Sequence, residues 1–204
     1  ILNSTFCDVL GGQKRRLGRF LFSCKSTEFR ERVKKLVSDM ENAGSKGATF
    51  HICCGLAGGT GSGGLVDAVS QIRDLYREGK IYRIRIYAYL PETHPKAGWD
   101  AGNYHANGYA ALLELNALSV GSWVPHDVTG LTNRADAATP SDKARFDARH
   151  LQHPFTGCYL YTNVNANGVQ LDVETELPAV VSDFLYQKIV TSRTVKRDDV
   201  DRME

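Results

Sequence analysis

Residues 58–64 hold five glycines and two hydroxyls, Thr60 and Ser62, in seven positions. The chemistry such a run supports is anion binding. Before it, residues 49–54 are β-branched, aromatic or small and read as a short buried strand. After it, Leu65, Val66, Val69, Ile72 and Leu75 recur at helical spacing. The order strand, glycine loop, helix puts residues 57–63 at a helix N-terminus, where unpaired N–H groups and the positive end of the macrodipole converge. Phosphate is the natural occupant. The glycines are expected to take positive φ and bring the backbone close to the ligand. Thr60 and Ser62 are expected to add uncharged donors. The plain alternative is a tight strand-to-helix turn that is merely rich in glycine.

Two familiar phosphate loops do not fit. A P-loop needs Lys followed by Ser or Thr after its last glycine, and here Gly64 is followed by Leu65. Gly59-x-Gly61-x-x-Gly64 satisfies the dinucleotide fingerprint, but that fingerprint also needs an acidic residue about 20 positions on to hold a ribose. Around that distance the chain offers Arg83 and Arg85. The match is incidental.

The elements that must position the loop follow from periodicity. Residues 11–19 carry four cations and three glycines in nine positions and read as a loop, by itself a solvated basic turn. An amphipathic helix then runs from Ser26 or Thr27, its N-cap, to about Ala43, with Phe29, Val33, Leu36, Val37 and Met40 on one face and Gly44 and Gly47 ending it. Its return to the central strand makes a right-handed crossover the default. Residues 82–90 form the next strand, stopped by Pro91. The polar loop over 92–102 leaves the carboxyl end of that strand, where open α/β sheets bind ligands. A helix with Tyr109, Leu112, Leu113, Leu115 and Leu118 inward follows.

Residues 119–153 are irregular, a length that is usually functional or mobile. His150 and His153 lie there without a third metal ligand and read as surface histidines. Residues 155–162 form another strand, 163–168 an Asn-rich turn, and a last helix starts at Glu174 or Thr175 and runs to about Val190, with Pro178 in its first turn and Val181, Phe184, Leu185 and Ile189 inward. The charged residues 193–204 read as a solvated or frayed terminus.

Gly55-Leu-Ala-Gly-Gly-Thr-Gly-Ser-Gly63 resembles the signature loop of the tubulin and FtsZ superfamily, a G-G-G-T-G-[ST]-G run that cradles the phosphates of GTP; Ala57 stands where that run has its first glycine. The variant looks most like the divergent prokaryotic tubulin-like family, and Tyr109-Ala-Ala-Leu-Leu-Glu-Leu-Asn116 also resembles it. The resemblance implies phosphate contacts from Gly55, Ala57, Gly58, Gly59, Thr60, Gly61, Ser62 and Gly63. It implies a loop along the γ-phosphate side from Gly12, Arg15, Arg16, Gly18 and Arg19, and a ribose carboxylate from Asp100 or Glu92. Base contacts would come from Asn163 and Asp183, although the family's aromatic stacker has no equivalent, Ala179 being nearest. In the tail, Asp198 or Asp201 would complete the active site of a neighbouring subunit, with Lys196 in place of the family's Asn. The family opens with a strand and a first glycine-rich loop, expected here either upstream of Ile1 or missing.

The resulting expectation is an α/β, Rossmann-like domain of tubulin/FtsZ type, a mostly parallel sheet with helices on both faces, over residues 1–190, followed by a charged tail or interdomain loop over 191–204. The resemblance implies a GTPase that binds GTP/GDP with Mg²⁺ carried by the nucleotide, polymerises head to tail with itself, engages adaptor proteins, and hydrolyses GTP where subunits meet. Such hydrolysis rests on positioning and charge relief more than on covalent chemistry. The rivals are a filament or scaffold module that binds nucleotide without hydrolysis, and a nicotinamide or flavin enzyme. Composition constrains the rest. A net charge of +2 gives no polyanion-binding signal, and no apolar stretch approaches the length of a membrane span. Five cysteines without metal-type spacing, Cys53 and Cys54 among them in the presumed core strand, read as reduced core residues of a cytoplasmic protein.

Overall fold

β-Branched and aromatic residues at period two build one open sheet. The computed structural model describes residues 13–100, 102–123, 125, 128, 151 and 153–190. Among them the elements are α1 (Arg15–Asn42), β1 (Ala48–Gly55), α2 (Gly59–Leu75), β2 (Tyr82–Tyr89), α3 (Tyr104–Ser119), β3 (Gly157–Tyr161) and α4 (Glu176–Ile189). The chain divides into two units between Tyr161 and Thr162. In the first, β1 pairs parallel with β2 and β2 with β3, in register from Ala48 opposite Tyr82 to Gly55 opposite Tyr89. This is the α/β fold with a parallel sheet that the sequence predicts.

A sheet that grows in one direction through right-handed crossovers places both crossover helices on one face. Ile84, Ile86 and Ala88 of β2 accordingly pack with Leu65, Val66, Val69 and Ile72 of α2 and with Ala111, Leu115 and Leu118 of α3. The other face is aromatic: His51, Tyr87 and Tyr159 stack across the three strands, and Tyr89 lies against Tyr161. Neighbouring strand residues point to opposite faces, so Cys53 and Cys54 cannot both fill the core. Cys54 packs against it, its thiol pushed up to about 12 chiefly by burial, while Cys53 is exposed.

α1 corrects the sequence reading most. It starts at Arg15, not at Ser26, so Arg15, Arg16 and Arg19 are helical and Ser26 sits inside the helix, its Oγ donating to Ser23 O at 2.8 Å. Local propensity is overridden by tertiary packing, because Gly18, Arg15 and Arg19 are committed to α2 or its surroundings, as described below. The predicted end holds: Gly44, at φ +92, follows the last turn, with its N–H on Glu41 O and that of Ser45 on Met40 O, a Schellman closure. Leu36 and Met40, expected inward, are exposed, and so are Tyr109 and Leu113 of α3. Apolar residues surround α3 on all sides, so spacing could not select its inner face. That face is Tyr104, Asn107, Gly108, Ala111, Leu115 and Leu118.

Arg73 pins the sheet to α2. It is 1% exposed and donates to Pro154 O at 2.7 Å and Tyr82 O at 2.5 Å, joining the end of α2 to the start of β2 and the approach to β3. Burial lowers its pKa. In the second unit, Asn165 Oδ1 closes a turn by accepting from the N–H groups of Asn167 and Val169. Asp172 closes the turn that leads into α4: its Oδ1 accepts from Glu174 N, Thr175 N and Thr175 Oγ1, and Glu176 reaches back to Asp172 N at 2.7 Å. α4 therefore begins at Glu176, with Val181 buried and Ile189 exposed. Most of 119–153 and all of 191–204 lie outside the described residues. No helix of the described residues is long and apolar enough to cross a membrane.

His51 makes the fold acid-sensitive. Burial first, and then the Arg85 cation, hold its pKa below the ordinary 6.5, and its Nδ1 lies 2.9 Å from Tyr87 Oη. The native state therefore binds this proton less readily than the unfolded chain, so the contribution is complete above 6.5 and lost as pH falls through the lowered native value. Urea midpoints taken from about pH 8 to about pH 5 should decline over this window. His51→Gln should flatten that decline; an unaltered slope would remove His51 as its source.

Candidate functional site

β1 ends at Gly55 and α2 begins at Gly59, so only residues 56–58 make the turn. Leu56 anchors it, fully buried, with its N–H on Tyr89 O at 2.9 Å. The N-cap of α2 is Gly58, which gives no side-chain cap hydrogen bond, and the first turn holds no acidic residue. The first amides of α2 thus keep their donors and the positive helix end for an external acceptor.

The glycines here serve two distinct purposes. Among the described residues, a Cβ added at Gly55 or Gly58 meets nothing within 4 Å, so they leave open space in front of the loop. A Cβ at Gly59, Gly61 or Gly63 comes within 3.0 Å of backbone atoms of Lys14, Gly55 and Arg15 respectively, and one at Gly18 comes as close to Gly59. None of these glycines has positive φ among the described residues, contrary to the sequence expectation. They are small so that α1 and β1 can lie against the back of the loop.

The two hydroxyls separate in the same way. Thr60 is exposed and makes no side-chain hydrogen bond among the described residues. Ser62 is 1% exposed; its Oγ donates to Gly58 O at 2.6 Å and accepts from Arg15 Nε at 3.2 Å. Ser62 braces the turn from inside. Arg15 also donates to Ser62 O at 2.9 Å and pairs with Glu114. Arg19 grips Asp67 with two hydrogen bonds, 2.7 and 2.9 Å, and the Asp67 side chain is fully buried. Arg15 and Arg19, expected in a loop, are helical and matched to carboxylates. Arg16 is exposed, with no ion-pair partner among the described residues. Gly12 lies outside them.

α1 starts beside α2, and its N-cap, Lys14, also lacks a side-chain cap hydrogen bond, with no acid in the first turn. Two uncapped helix N-termini therefore meet at the loop. Gln13 enters α1 with φ 48, the left-handed region that non-glycine residues avoid. Its side chain donates to Trp99 O, and its own carbonyl accepts from Asn107 Nδ2 at 2.7 Å. The same Asn107 nitrogen donates to Ala57 O at 2.8 Å. Sequence reading missed Gln13 and Asn107. The signal for the second was the Asn107-Gly108 pair, poor helix formers inside a helix; Gly108 is there because a Cβ would run into Pro91.

The ribose candidates flank the same carboxyl edge. Glu92 accepts from Tyr104 Oη, which, with burial as the larger cause, raises the Tyr104 pKa. Asp100 Oδ1 accepts from Gly102 N at 2.7 Å and is exposed. In the second unit, Asn163 is 3% exposed, and its Oδ1 has no hydrogen-bond partner among the described residues. Asp183 is exposed on α4. Asp198 and Asp201 lie outside the described residues. Among those described, no group of three or more His, Cys, Asp or Glu could hold a metal ion.

Fold and site together define an α/β protein whose parallel sheet presents a glycine-rich, uncapped helix N-terminus at its carboxyl edge. A family model described as tubulin-like matches residues 3–203, and the chain belongs to that family. No curated protein and no solved structure matches it.

The division of labour among the glycines predicts opposite outcomes for the same substitution. Gly61→Ala and Gly18→Ala should each lower unfolding free energy by about 1–3 kcal/mol through overpacking. Gly58→Ala, at φ −79 with open space ahead, should leave it within about 0.5 kcal/mol. Denaturant unfolding of the three variants checks this, and a Gly58→Ala variant as unstable as Gly61→Ala would refute the open front.

Proposed function

We propose that this tubulin-like chain binds GTP and hydrolyses it in head-to-tail filaments of its own kind. The observation that carries the reading is the uncapped N-terminus of α2, fronted by open space at Gly55 and Gly58 and joined by the N-terminus of α1. Membership of the tubulin-like family supports a nucleotide as the occupant. The phosphates sit against the amides of residues 57–63, with the Thr60 hydroxyl as a further donor. Ser62 acts through the turn it braces. On the γ-phosphate side, with Gly12 to Gly18 as the backbone wall, Arg16 is an exposed cation; Arg15 and Arg19 hold the frame.

Mg²⁺, carried by the nucleotide, would neutralise phosphate charge there. Asp100 or Glu92 contacts the ribose. Asn163 and Asp183 contact the base, and the buried, unpartnered Oδ1 of Asn163 supports an amide waiting for a donor. Asp198 or Asp201 serves the neighbouring subunit's site, which couples turnover to assembly. Residues 1–190 form the nucleotide domain, and the protein works in the cytoplasm with adaptor proteins as further partners.

The test is a titration with GTP, GDP and NAD, followed by sedimentation and phosphate release across a range of protein concentrations. Saturable GTP binding, GTP-dependent pelleting and a specific activity that climbs with protein concentration are expected. Gly58→Val should weaken GTP binding roughly tenfold or more, about 1.4 kcal/mol, with the fold intact. Activity independent of concentration would overturn the shared site, GTP binding without phosphate release would select the scaffold reading, and preference for NAD would overturn GTP.

A further inference from the structure

We infer that Asn107 is the positioning residue that aims the backbone donors of the anion site, an assignment that rests on the GTP-binding reading above. Asn107 is 5% exposed in the first turn of α3, and both hydrogens of its Nδ2 are used. One goes to Ala57 O at 2.8 Å, the other to Gln13 O at 2.7 Å. Both neighbours are carbonyl oxygens, so the amide nitrogen, not its oxygen, must face them.

The consequence comes from the peptide unit. A trans peptide is planar, with its C=O and N–H pointing in opposite directions. Holding Ala57 O toward α3 therefore turns the N–H of Gly58 away from α3, at the residue in front of which there is open space. Holding Gln13 O does the same for the N–H of Lys14, the N-cap of α1. One side chain thus sets the direction of the leading amide at each of the two helix N-termini. Neither Gly58 N nor Lys14 N has a backbone acceptor among the described residues.

The strain at Gln13 supports this role. A left-handed residue that is not glycine persists only where its surroundings over-determine it. At Gln13 these include the Asn107 hydrogen bond to its carbonyl and the bond from its side chain to Trp99 O. Asn107 touches no reacting atom; it acts through the two peptides it holds.

Asn107→Leu keeps the volume and removes both donors, and Asn107→Ala, which leaves room for a bridging water, serves if the first variant does not fold. Leu118→Ala, on the same helix but in the hydrophobic core, is the control for lost stability alone. In nucleotide-free protein, the ¹H–¹⁵N resonances of Gly58 and Lys14 should move in the Asn107 variants and stay in place in Leu118→Ala. The Kd for GTP should rise roughly tenfold or more in the Asn107 variants and stay within about twofold of wild type in the control. Unmoved Gly58 and Lys14 resonances, or unchanged GTP affinity in an Asn107 variant, would overturn the assignment. If wild-type protein binds no GTP, the proposed function falls, and the resonances alone decide whether Asn107 aims these amides.

Discussion

Backbone touches backbone where α1 starts against α2, and the rest of the first unit is arranged around that approach. Gly18, Gly59 and Gly63 remove the Cβ atoms that would hold the two chains apart. The helices also run in the same direction: Arg15 meets Ser62, Arg19 meets Asp67, and Arg30 meets Gln71 and Asp74, rising along both sequences together. Parallel neighbours bring like ends of their macrodipoles together, here the two positive ends. That is an unfavourable pairing by itself, and an anion between the ends relieves both at once. The site is thus a place where the fold holds positive potential without spending a side-chain charge on it.

The arginines of α1 show where the formal charges go instead. Asp67 and Asp74 have almost no exposed side-chain surface, at 0% and 2%. A buried carboxylate without a cation is strongly destabilising, so Arg19 and Arg30 are obligatory partners for them. Such pairs contribute little net stability over apolar residues of the same size, but they fix which helix faces which. Arg73 works differently, resting its charge on main-chain carbonyls at the end of α2, the end where the dipole favours a cation. A chain with 25 basic and 23 acidic residues can therefore hold several arginines inside.

How much of this was readable beforehand depended on whether the cause was local. β1, β2 and the end of α2 follow from runs of β-branched residues and the 3.6-residue period, and the structure places them within a residue or two of expectation, whereas α2 starts at Gly59, inside the glycine run read as loop. The start of α1 was unreadable for a physical reason. Glycines and clustered cations end a helix when nothing touches them, but Gly18 is a contact surface, and Arg15 and Arg19 have partners 47 to 99 positions away in sequence. No window along the chain contains those partners. The inner face of α3 was hidden by the opposite problem, since a helix apolar all round shows no period to read. Within the site, the glycine loop was visible as composition, while its supports, Asn107 and Gln13, depend on contacts at separations of 50 and 94 residues.

Ala57 is the one departure from the resembled glycine run, and the geometry accounts for it. The positive-φ residues among those described are Gln13 and five glycines outside the loop, so position 57 has the ordinary backbone region that a Cβ tolerates. What the loop requires of this residue is its carbonyl, which Asn107 holds whatever the side chain. A glycine there would add only unfolded-state entropy, which an alanine of compatible φ reduces by about 0.4–1 kcal/mol. Conformational demand has instead moved one segment away, to Gln13, where a glycine would be the easy residue and is not the one present. Two peptides at the helix N-termini are thus held from behind by one amide, and at position 57 the contact is made by the main chain, which leaves the side chain free to vary.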